Sequence, residues 1–290
     1  MGNRLRSRLT YTNVVGTIAL LGVFAAGGAY AAATTGARDI KNNAVRGRHI
    51  KNNQVTGADV NEARLDATAL RTRVARGGCQ GAVAGTGTMV KVGPLCIDRY
   101  EASVWSRPNG GVQYGVASDD YPCADNGQDC KGKIFARSVP GVTPSRYITW
   151  FQAQQALANS GKRVPTNAEW QMAVAGTPDS SACNVTSGIA NTGAFATCRS
   201  AWGANDMVGN LWELVADWLP VSDAGGGCPG WGGFSDDFMC RSGVSTVAQG
   251  PGISLRGGGN DGGPGAGPFA MGGAYEPTFS ISNLGLRGAL

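Results

Sequence analysis

The chain has 290 residues, 42% of them hydrophobic, and its 46 glycines indicate much irregular backbone. This length accommodates one globular domain with a sizeable core, together with an extension. The formal net charge of +5 is uneven: residues 1–76 contain 12 Lys and Arg against 4 Asp and Glu, and the remainder contains 13 against 16. Because only the N-terminal arm is basic, we expect no nucleic-acid partner.

Histidine is almost absent, and the only one, His49, lies in the arm. The globular part therefore cannot contain a Ser-His-Asp triad, a Cys-His pair or a histidine-ligated metal of its own. A hydrolase built on this domain would have to use carboxylates or lysine.

Residues 1–33 have the composition of an export signal or of a retained membrane anchor. Three arginines precede an apolar segment at 14–33, and the sequence Ala29-Tyr30-Ala31 favours cleavage. The apolar segment of roughly twenty residues is also long enough to span a bilayer. Both alternatives place the rest of the chain outside the cytoplasm, either secreted or anchored to the membrane.

Residues 34–76 form a basic stalk that contains a short repeat at 39–65. An apolar residue recurs there every five positions: Ile40, Val45, Ile50, Val55, Val60 and Leu65. This period matches neither a helix nor a plain strand. A few turns of β-solenoid and a mostly extended stalk explain it equally well.

The globular domain, 77–290, contains all eight cysteines. They fall into four local pairs, each enclosing a short polar loop: Cys79/Cys96, Cys123/Cys130, Cys183/Cys198 and Cys228/Cys240. An even set in an exported chain predicts four disulfides in an oxidising compartment. A structural zinc site is excluded, because CxxC-like spacing and histidine are both missing.

Regular elements are few. Short strands are predicted at 88–92 and 95–99. Two capping boxes, Thr149 with Gln152 and Thr166 with Glu169, predict two helices. The glycines that would end these helices are Gly161 and Gly176.

A further strand is predicted within 206–218, DMVGNLWELVADW. At period two, one face carries Trp212, Leu214, Ala216 and Trp218, and the other carries Glu213, Val215 and Asp217. We expect the face with the tryptophans to be the buried one.

The turn before this strand could gather oxygen ligands. A chain that reverses at Gly209-Asn210 can bring the Asp206 carboxylate, turn carbonyls and the Glu213 carboxylate to one point, and such hard donors suit calcium. In the alternative, Asp206 caps the turn and Glu213 is solvated, and the spacing alone favours this plainer explanation.

Five motifs in order over about 90–290 identify a resemblance. They are CIDRYEAS at 96–103, the helical stretch at 148–176, DMVGNLWELVADW at 206–218, LRGG at 255–258 and GLRG at 285–288. Together they resemble the formylglycine-generating-enzyme, or sulfatase-modifying-factor, domain. The resemblance implies an α+β, C-type-lectin-like fold with a small twisted sheet, two helices and long loops held by structural calcium.

The same resemblance implies where calcium would bind. Its ligands would be Asp206, Glu213 and the carbonyls of Gly209 and Leu211. Another site would involve Asn184 and Val185.

The catalytic residues of that family do not carry over. Its oxygen-dependent enzymes bind copper with two cysteines shortly after the RGG motif, whereas this chain has Gly262 and Gly267 there and no cysteine after Cys240. Copper(I) requires soft thiolates, so copper is not expected. The iron-dependent sulfoxide synthases of the family need histidines, which this domain also lacks.

Two functions remain. The first is an exported, non-catalytic binding module that contacts an unknown ligand or protein through the loops at 219–282. The second is an oxidoreductase of the formylglycine-generating family with a variant active site. The glycine-rich loop at 256–273 does not indicate phosphate binding, because no Lys-Ser/Thr ending and no helix follow it.

Overall fold

The computed structural model describes residues 79, 82–179, 181–222, 228, 230–241 and 250–290, all within one compact unit, Thr68–Leu290. The predicted signal or anchor and the predicted repeat stalk lie outside the described residues. Across the ranges described, the helices are too short or too polar to cross a membrane.

The domain is mostly β-structure with two α-helices. The elements are β1 (Met89–Val92), β2 (Leu95–Asp98), β3 (Ser103–Arg107), β4 (Gly110–Tyr114), β5 (Phe135–Arg137), α1 (Trp150–Asn159), α2 (Asn167–Val174), β6 (Trp212–Pro220), β7 (Met239–Cys240), β8 (Pro251–Arg256), β9 (Met271–Gly272) and β10 (Leu284–Gly285). A short 3₁₀ turn at Gly263–Gly265 lies between β8 and β9.

The strands form three small sheets. Strands β1 and β2 pair antiparallel, and β4, β3 and β5 form a three-stranded antiparallel sheet. The largest sheet has five strands in the order β10-β6-β8-β9-β7. Strand β6 is thus paired on both sides, parallel to β10 and antiparallel to β8.

Both helices begin where the capping boxes predict. The Thr149 hydroxyl accepts from Gln152 N at 3.2 Å, and Gln152 Oε1 accepts from Thr149 N at 3.1 Å. Thr166 and Glu169 exchange the same pair of bonds at 3.2 and 2.9 Å. Each box satisfies two N–H groups that have no partner inside the helix, which explains why a local pattern located both helices.

The prediction for the faces of β6 is wrong. Glu213 is only 1% exposed and Val215 is fully buried, whereas Trp218 is 39% exposed and packs edge-on to Trp150 with ring centroids 4.8 Å apart. Glu213, Leu214 and Val215 are all buried, so this part of β6 is covered on both faces and the period-two rule for half-buried strands does not apply to it.

Strand β6 separates two hydrophobic cores. Leu214 packs in one core with Leu157 of α1, and Val215 packs in the other with Trp170 of α2. Consecutive residues of a strand point to opposite faces, so one strand supplies both cores. The helices thus cover different faces of the same strand.

Four disulfides join the cysteines as the sequence predicts. The pairs are Cys79–Cys96, Cys123–Cys130, Cys183–Cys198 and Cys228–Cys240, with separations of 17, 7, 15 and 12 residues. Disulfides persist in oxidising compartments, so they indicate an extracytoplasmic location. They also restrict the long loops, which have few regular backbone hydrogen bonds to hold them.

Candidate functional site

Residues from three of the five motifs meet at one buried arginine, Arg287. Its Nη2 lies 2.6 Å from Glu213 Oε1, and its Nε donates to both oxygens of that carboxylate at 2.9 and 3.0 Å. Nη1 donates to the Asp98 carbonyl at 2.8 Å, and Nη2 donates to the Asn205 carbonyl at 2.7 Å. A buried ion pair is tolerated under these conditions, with its charge paired and its N–H groups bound.

Further carboxylates share this interior. Glu101 Oε2 accepts from Asn210 Nδ2 at 2.5 Å, and burial, followed by the negative charge of Asp206, raises the pKa of Glu101 well above its usual range. Burial also raises the pKa of Asp206 to about 6, although its Oδ2 accepts from Gly193 N at 2.6 Å. The interior therefore holds more carboxylates than Arg287 alone can neutralise.

A second buried ion pair joins Lys162 to Asp98 at 2.7 Å. Asp98 Oδ2 also accepts from Gly288 N at 2.8 Å, and Lys162 donates to the Thr86 carbonyl at 3.0 Å. Burial raises the pKa of Asp98, while the Lys162 ammonium opposes that rise. The pair thus links three parts of the chain: β2, which carries Asp98; the segment between the two helices, which carries Lys162; and the C-terminal segment, which carries Gly288.

The arginine of the LRGG motif, Arg256, is buried beside the Arg287–Glu213 pair and is connected to it through Trp170. Arg256 lies over the Trp170 ring, 4.7 Å from its centroid, and donates to Gln171 and to the Pro268 carbonyl. Trp170 Nε1 donates to Glu213 Oε2 at 2.6 Å. Burial lowers the pKa of Arg256 to about 10. The motifs therefore specify a buried frame rather than an exposed binding site.

The predicted calcium ligands lie around the 208–210 turn. They are Asn184, Asp206, Gly209, Leu211 and Glu213. Asn184 forms an isolated bridge with Gly209, and its buried Oδ1 has no hydrogen-bond partner, so an ion could satisfy it. Glu213 fits calcium less well, because Arg287 and Trp170 already donate to its oxygens. Calcium at these residues stays a prediction.

The two positions that correspond to the family's copper thiols are glycines in close quarters. A Cβ atom at Gly267 would overlap the Asp237 carboxylate, and one at Gly262 would lie 2.9 Å from the Ala266 Cβ. Asp237 thus occupies the space that a side chain at position 267 would need. These residues do not fit a copper(I) site, because they offer neither thiolates nor room for them.

The loops before and after β7 expose a group of aromatic rings that sequence reasoning did not identify. Trp231, Phe234 and Phe269 lie with ring centroids 5.1–6.2 Å apart, and Phe234 is 69% exposed. We call these three residues the aromatic cluster. Its members come from segments 35 residues or more apart in sequence, so no local spacing could have signalled it.

An acidic cluster adjoins the aromatic cluster, and it too was missed. Asp179, Asp236 and Asp237 bring carboxylate oxygens within 4.8 Å of one another. Asp237 Oδ2 accepts from the backbone N of Phe269 at 2.7 Å, which connects the two clusters. The adjacent pair Asp236-Asp237 was the only signal in the sequence, and its partner lies 57 residues earlier.

The fold and its centre define a disulfide-linked, β-rich domain built around a buried arginine–glutamate pair. Comparison with protein families gives the particular class: the sulfatase-modifying factor enzyme 1-like domain matches residues 21–290. The chain belongs to this family.

Curated relatives match part of the chain. Hercynine oxygenase of Mycolicibacterium smegmatis is 27% identical over 138 residues, which is 40% of this chain and 32% of that protein. Hercynine oxygenase of Mycolicibacterium thermoresistibile is 30% identical over 96 residues, 27% of this chain and 22% of that protein. The matched segment spans a third or less of the length of these relatives.

Solved structures also resemble this chain. The Major Tropism Determinant M1 variant aligns with a TM-score of 0.48 at 20% identity and covers 72% of this chain and 53% of that one. CarF aligns with a TM-score of 0.39 at 17% identity and covers 72% and 94%. Both scores are below 0.5, and neither bears on function.

Proposed function

We propose that this chain is an exported, non-catalytic binding module of the sulfatase-modifying-factor family. It contacts a ligand or protein through the loops at 219–282, and its N-terminal segment directs export and either is cleaved or anchors the domain to the membrane. The observation that carries this proposal is the replacement of the family's copper thiols by Gly262 and Gly267.

The surroundings of Gly267 strengthen that observation. A cysteine there would have to displace the Asp237 carboxylate, which is itself held by Phe269 N at 2.7 Å. All eight cysteines of the sequence are engaged in the four disulfides, so none is left to serve as an alternative thiolate. A copper ion that oxidises a substrate cysteine would therefore find no thiol ligands in this domain.

The aromatic cluster supports binding as the remaining role. Phe234 is 69% exposed and adjoins the rings of Trp231 and Phe269, and contiguous exposed apolar groups mark interaction sites. Aromatic side chains are enriched at the centres of protein interfaces, because they bury a large area with few rotatable bonds. The loops that carry the cluster are fixed to the scaffold by the Cys228–Cys240 disulfide and by the short strands β7 and β9.

The alternative is an oxidoreductase of the same family with a variant site. The similarity to two hercynine oxygenases favours it. The iron-dependent branch of the family needs histidines, however, and His49 is the only histidine of the chain.

Enzyme assays separate the two functions. The purified chain is incubated aerobically with copper and a sulfatase-motif peptide, and the peptide mass is measured for conversion of cysteine to the aldehyde. A second arm contains iron(II), hercynine, a thiol and oxygen. We expect no product above the protein-free control in either arm, while an active formylglycine-generating enzyme converts the peptide. Product formation in either arm would refute the non-catalytic role.

Binding through the loop surface is tested with a photo-crosslinking residue placed at Phe234 in the native host. The matched control is the same residue at Val112, which is 60% exposed but lies on β4, in a different sheet from β7 and β9. We expect discrete adducts from position 234 and none from position 112. Equal labelling at the two positions would contradict the assignment of this surface.

A further inference from the structure

One member of the acidic cluster is buried with one of its two carboxylate oxygens lacking a hydrogen-bond donor. Asp237 is 1% exposed, and its Oδ1 has no partner among the described residues. Its other oxygen accepts from Phe269 N at 2.7 Å. A buried carboxylate oxygen without a donor is costly, and proteins normally satisfy such an atom with a donor, water or cation.

Positive side chains do not supply that partner. Residues 177–290 contain nine acidic residues, four arginines and no lysine or histidine. Arg287 is paired with Glu213, and Arg256 lies on the Trp170 ring. The Arg256 charge opposes the rise that burial causes in the Asp237 pKa, but its N–H groups donate to Gln171 and Pro268. Within the described ranges, no salt bridge involves the acidic cluster.

The three carboxylates of the acidic cluster repel one another, because water only partly screens their negative charges. Burial, followed by the charges of Asp237 and Asp236, raises the pKa of Asp179 to about 6. A bound cation would remove this repulsion, because an ion among carboxylates reverses the local effect on their ionisation.

A cavity of about 220 Å³ opens beside the cluster. Asp179 and Asp236 line it together with Ser181 and Thr186, and Gly263 and Pro264 form another part of its wall. Its volume is several times the roughly 30 Å³ that one water molecule occupies, so a hydrated ion fits. Val185 and Ala266 complete the lining and Asp237 lies outside it, so the hard oxygen donors on the cavity wall are the two carboxylates and the two hydroxyl groups.

We infer that Asp179, Asp236 and Asp237 form a binding site for a divalent cation, with calcium as the preferred ion. Asp237 is the buried ligand, Asp179 and Asp236 close the site from two different segments, and water in the cavity completes the coordination. Calcium accepts six to eight oxygen ligands in flexible geometry, which suits three carboxylates on loops better than the strict octahedron of magnesium.

This site uses none of the residues at which the family resemblance implies calcium. It also does not depend on the proposed binding function, because the carboxylates would hold an ion whether or not the loops contact a partner. The ion would join the segment after α2 to the loop before β7. This place adjoins Gly267, one of the two positions that correspond to the family's copper thiols.

The test uses the full chain with its disulfides intact, freed of metal by chelator and dialysis. Calcium binding is measured by equilibrium dialysis with radioactive calcium and by the thermal midpoint over a series of CaCl₂ concentrations, with MgCl₂ as the comparison. We expect a dissociation constant on the order of 0.1–1 mM, the range of extracellular calcium modules. Magnesium should bind at least about tenfold more weakly, because it surrenders its water reluctantly.

The variants Asp179→Asn and Asp236→Asn change exposed members of the cluster, so the fold should survive both. Each should weaken calcium binding about tenfold or more, since each removes a charged ligand. The matched control is Asp261→Asn, which removes an exposed charge from the neighbouring loop and should bind calcium like the wild type.

Two results would overturn the inference. The first is a wild-type chain that binds no calcium at millimolar concentration. The second is calcium binding that Asp179→Asn and Asp236→Asn leave equal to that of Asp261→Asn, which would place the ion elsewhere.

Discussion

The buried side chain of Arg287 holds segments of the domain together. It joins Glu213 of β6 to the carbonyls of Asp98 and Asn205, so one side chain connects three segments distant in sequence. Removing one partner of a buried ion pair leaves the other charged group desolvated and unpaired, which is more damaging than the loss of the attraction itself.

Arg287→Met should therefore destabilise the domain by about 3–5 kcal/mol. The control is Arg163→Met, because Arg163 and Glu169 form a surface ion pair at 2.6 Å whose loss should cost about 1 kcal/mol or less. The measurement is the free energy of unfolding from urea denaturation with the disulfides intact. Similar losses for the two variants would mean that the Arg287 pair is not desolvated as the structure has it.

The sequence located most residues of this interior but missed the partner that Glu213 has in the structure. Glu213 was predicted either to bind calcium or to be solvated, because only its neighbours along the chain could be considered. Its partner, Arg287, lies 74 residues away. Spacing rules describe contacts within a turn or a strand, whereas this contact depends on how β6 and the C-terminal segment pack.

Sequence patterns predicted correctly those elements whose stabilising contacts join residues close together in the chain. Capping boxes fix α1 and α2, because the stabilising bonds join residues three apart. The faces of β6 could not be predicted, because both are covered by elements remote in sequence. At the bulge between Leu214 and Trp218, Ala216 N donates to the Pro165 carbonyl at 2.8 Å, so the strand leaves its ladder to contact the loop between the helices.

The loop at 262–267 packs closely against Asp237 at Gly267. Gly267→Ala should lower the free energy of unfolding by about 1–3 kcal/mol, because a Cβ atom there would overlap the buried Asp237 carboxylate. Gly233→Ala is the control, since a Cβ atom at Gly233 meets nothing within 4 Å. It should be neutral or slightly stabilising, because alanine restricts the unfolded chain.

A double variant shows whether the penalty comes from Asp237. Combining Gly267→Ala with Asp237→Ala should recover part of the loss, because residues in contact couple in a double-mutant cycle. Full additivity of the two changes would contradict the overlap between these residues.

At the scale of the whole molecule, the ordered motifs and the cysteine pairs could be predicted from sequence, and they define the family and the disulfide framework. The aromatic and acidic clusters could not, because Asp179 meets Asp236 and Asp237 only after the chain folds. The motifs describe the frame. Loops vary in sequence more than the elements they connect, so the chemistry of this loop surface must be read from the structure.

Calcium bound at the 208–210 turn would stabilise the whole domain. An ion that binds only the native state stabilises it by mass action, by about 2.7 kcal/mol at a hundredfold excess over the dissociation constant. Asn184, which the resemblance assigns to another calcium site, lies against this turn through its bridge with Gly209, and its unpartnered Oδ1 favours an ion at this place. The acidic cluster must be disabled first, so the experiment uses Asp179→Asn as the background. In that background we expect chelation to lower the thermal midpoint, and we expect a further Asn184→Ala change to remove this dependence. If the Asp179→Asn protein melts at the same temperature with calcium and with chelator, the turn at 208–210 holds no structural calcium and Glu213 serves only Arg287.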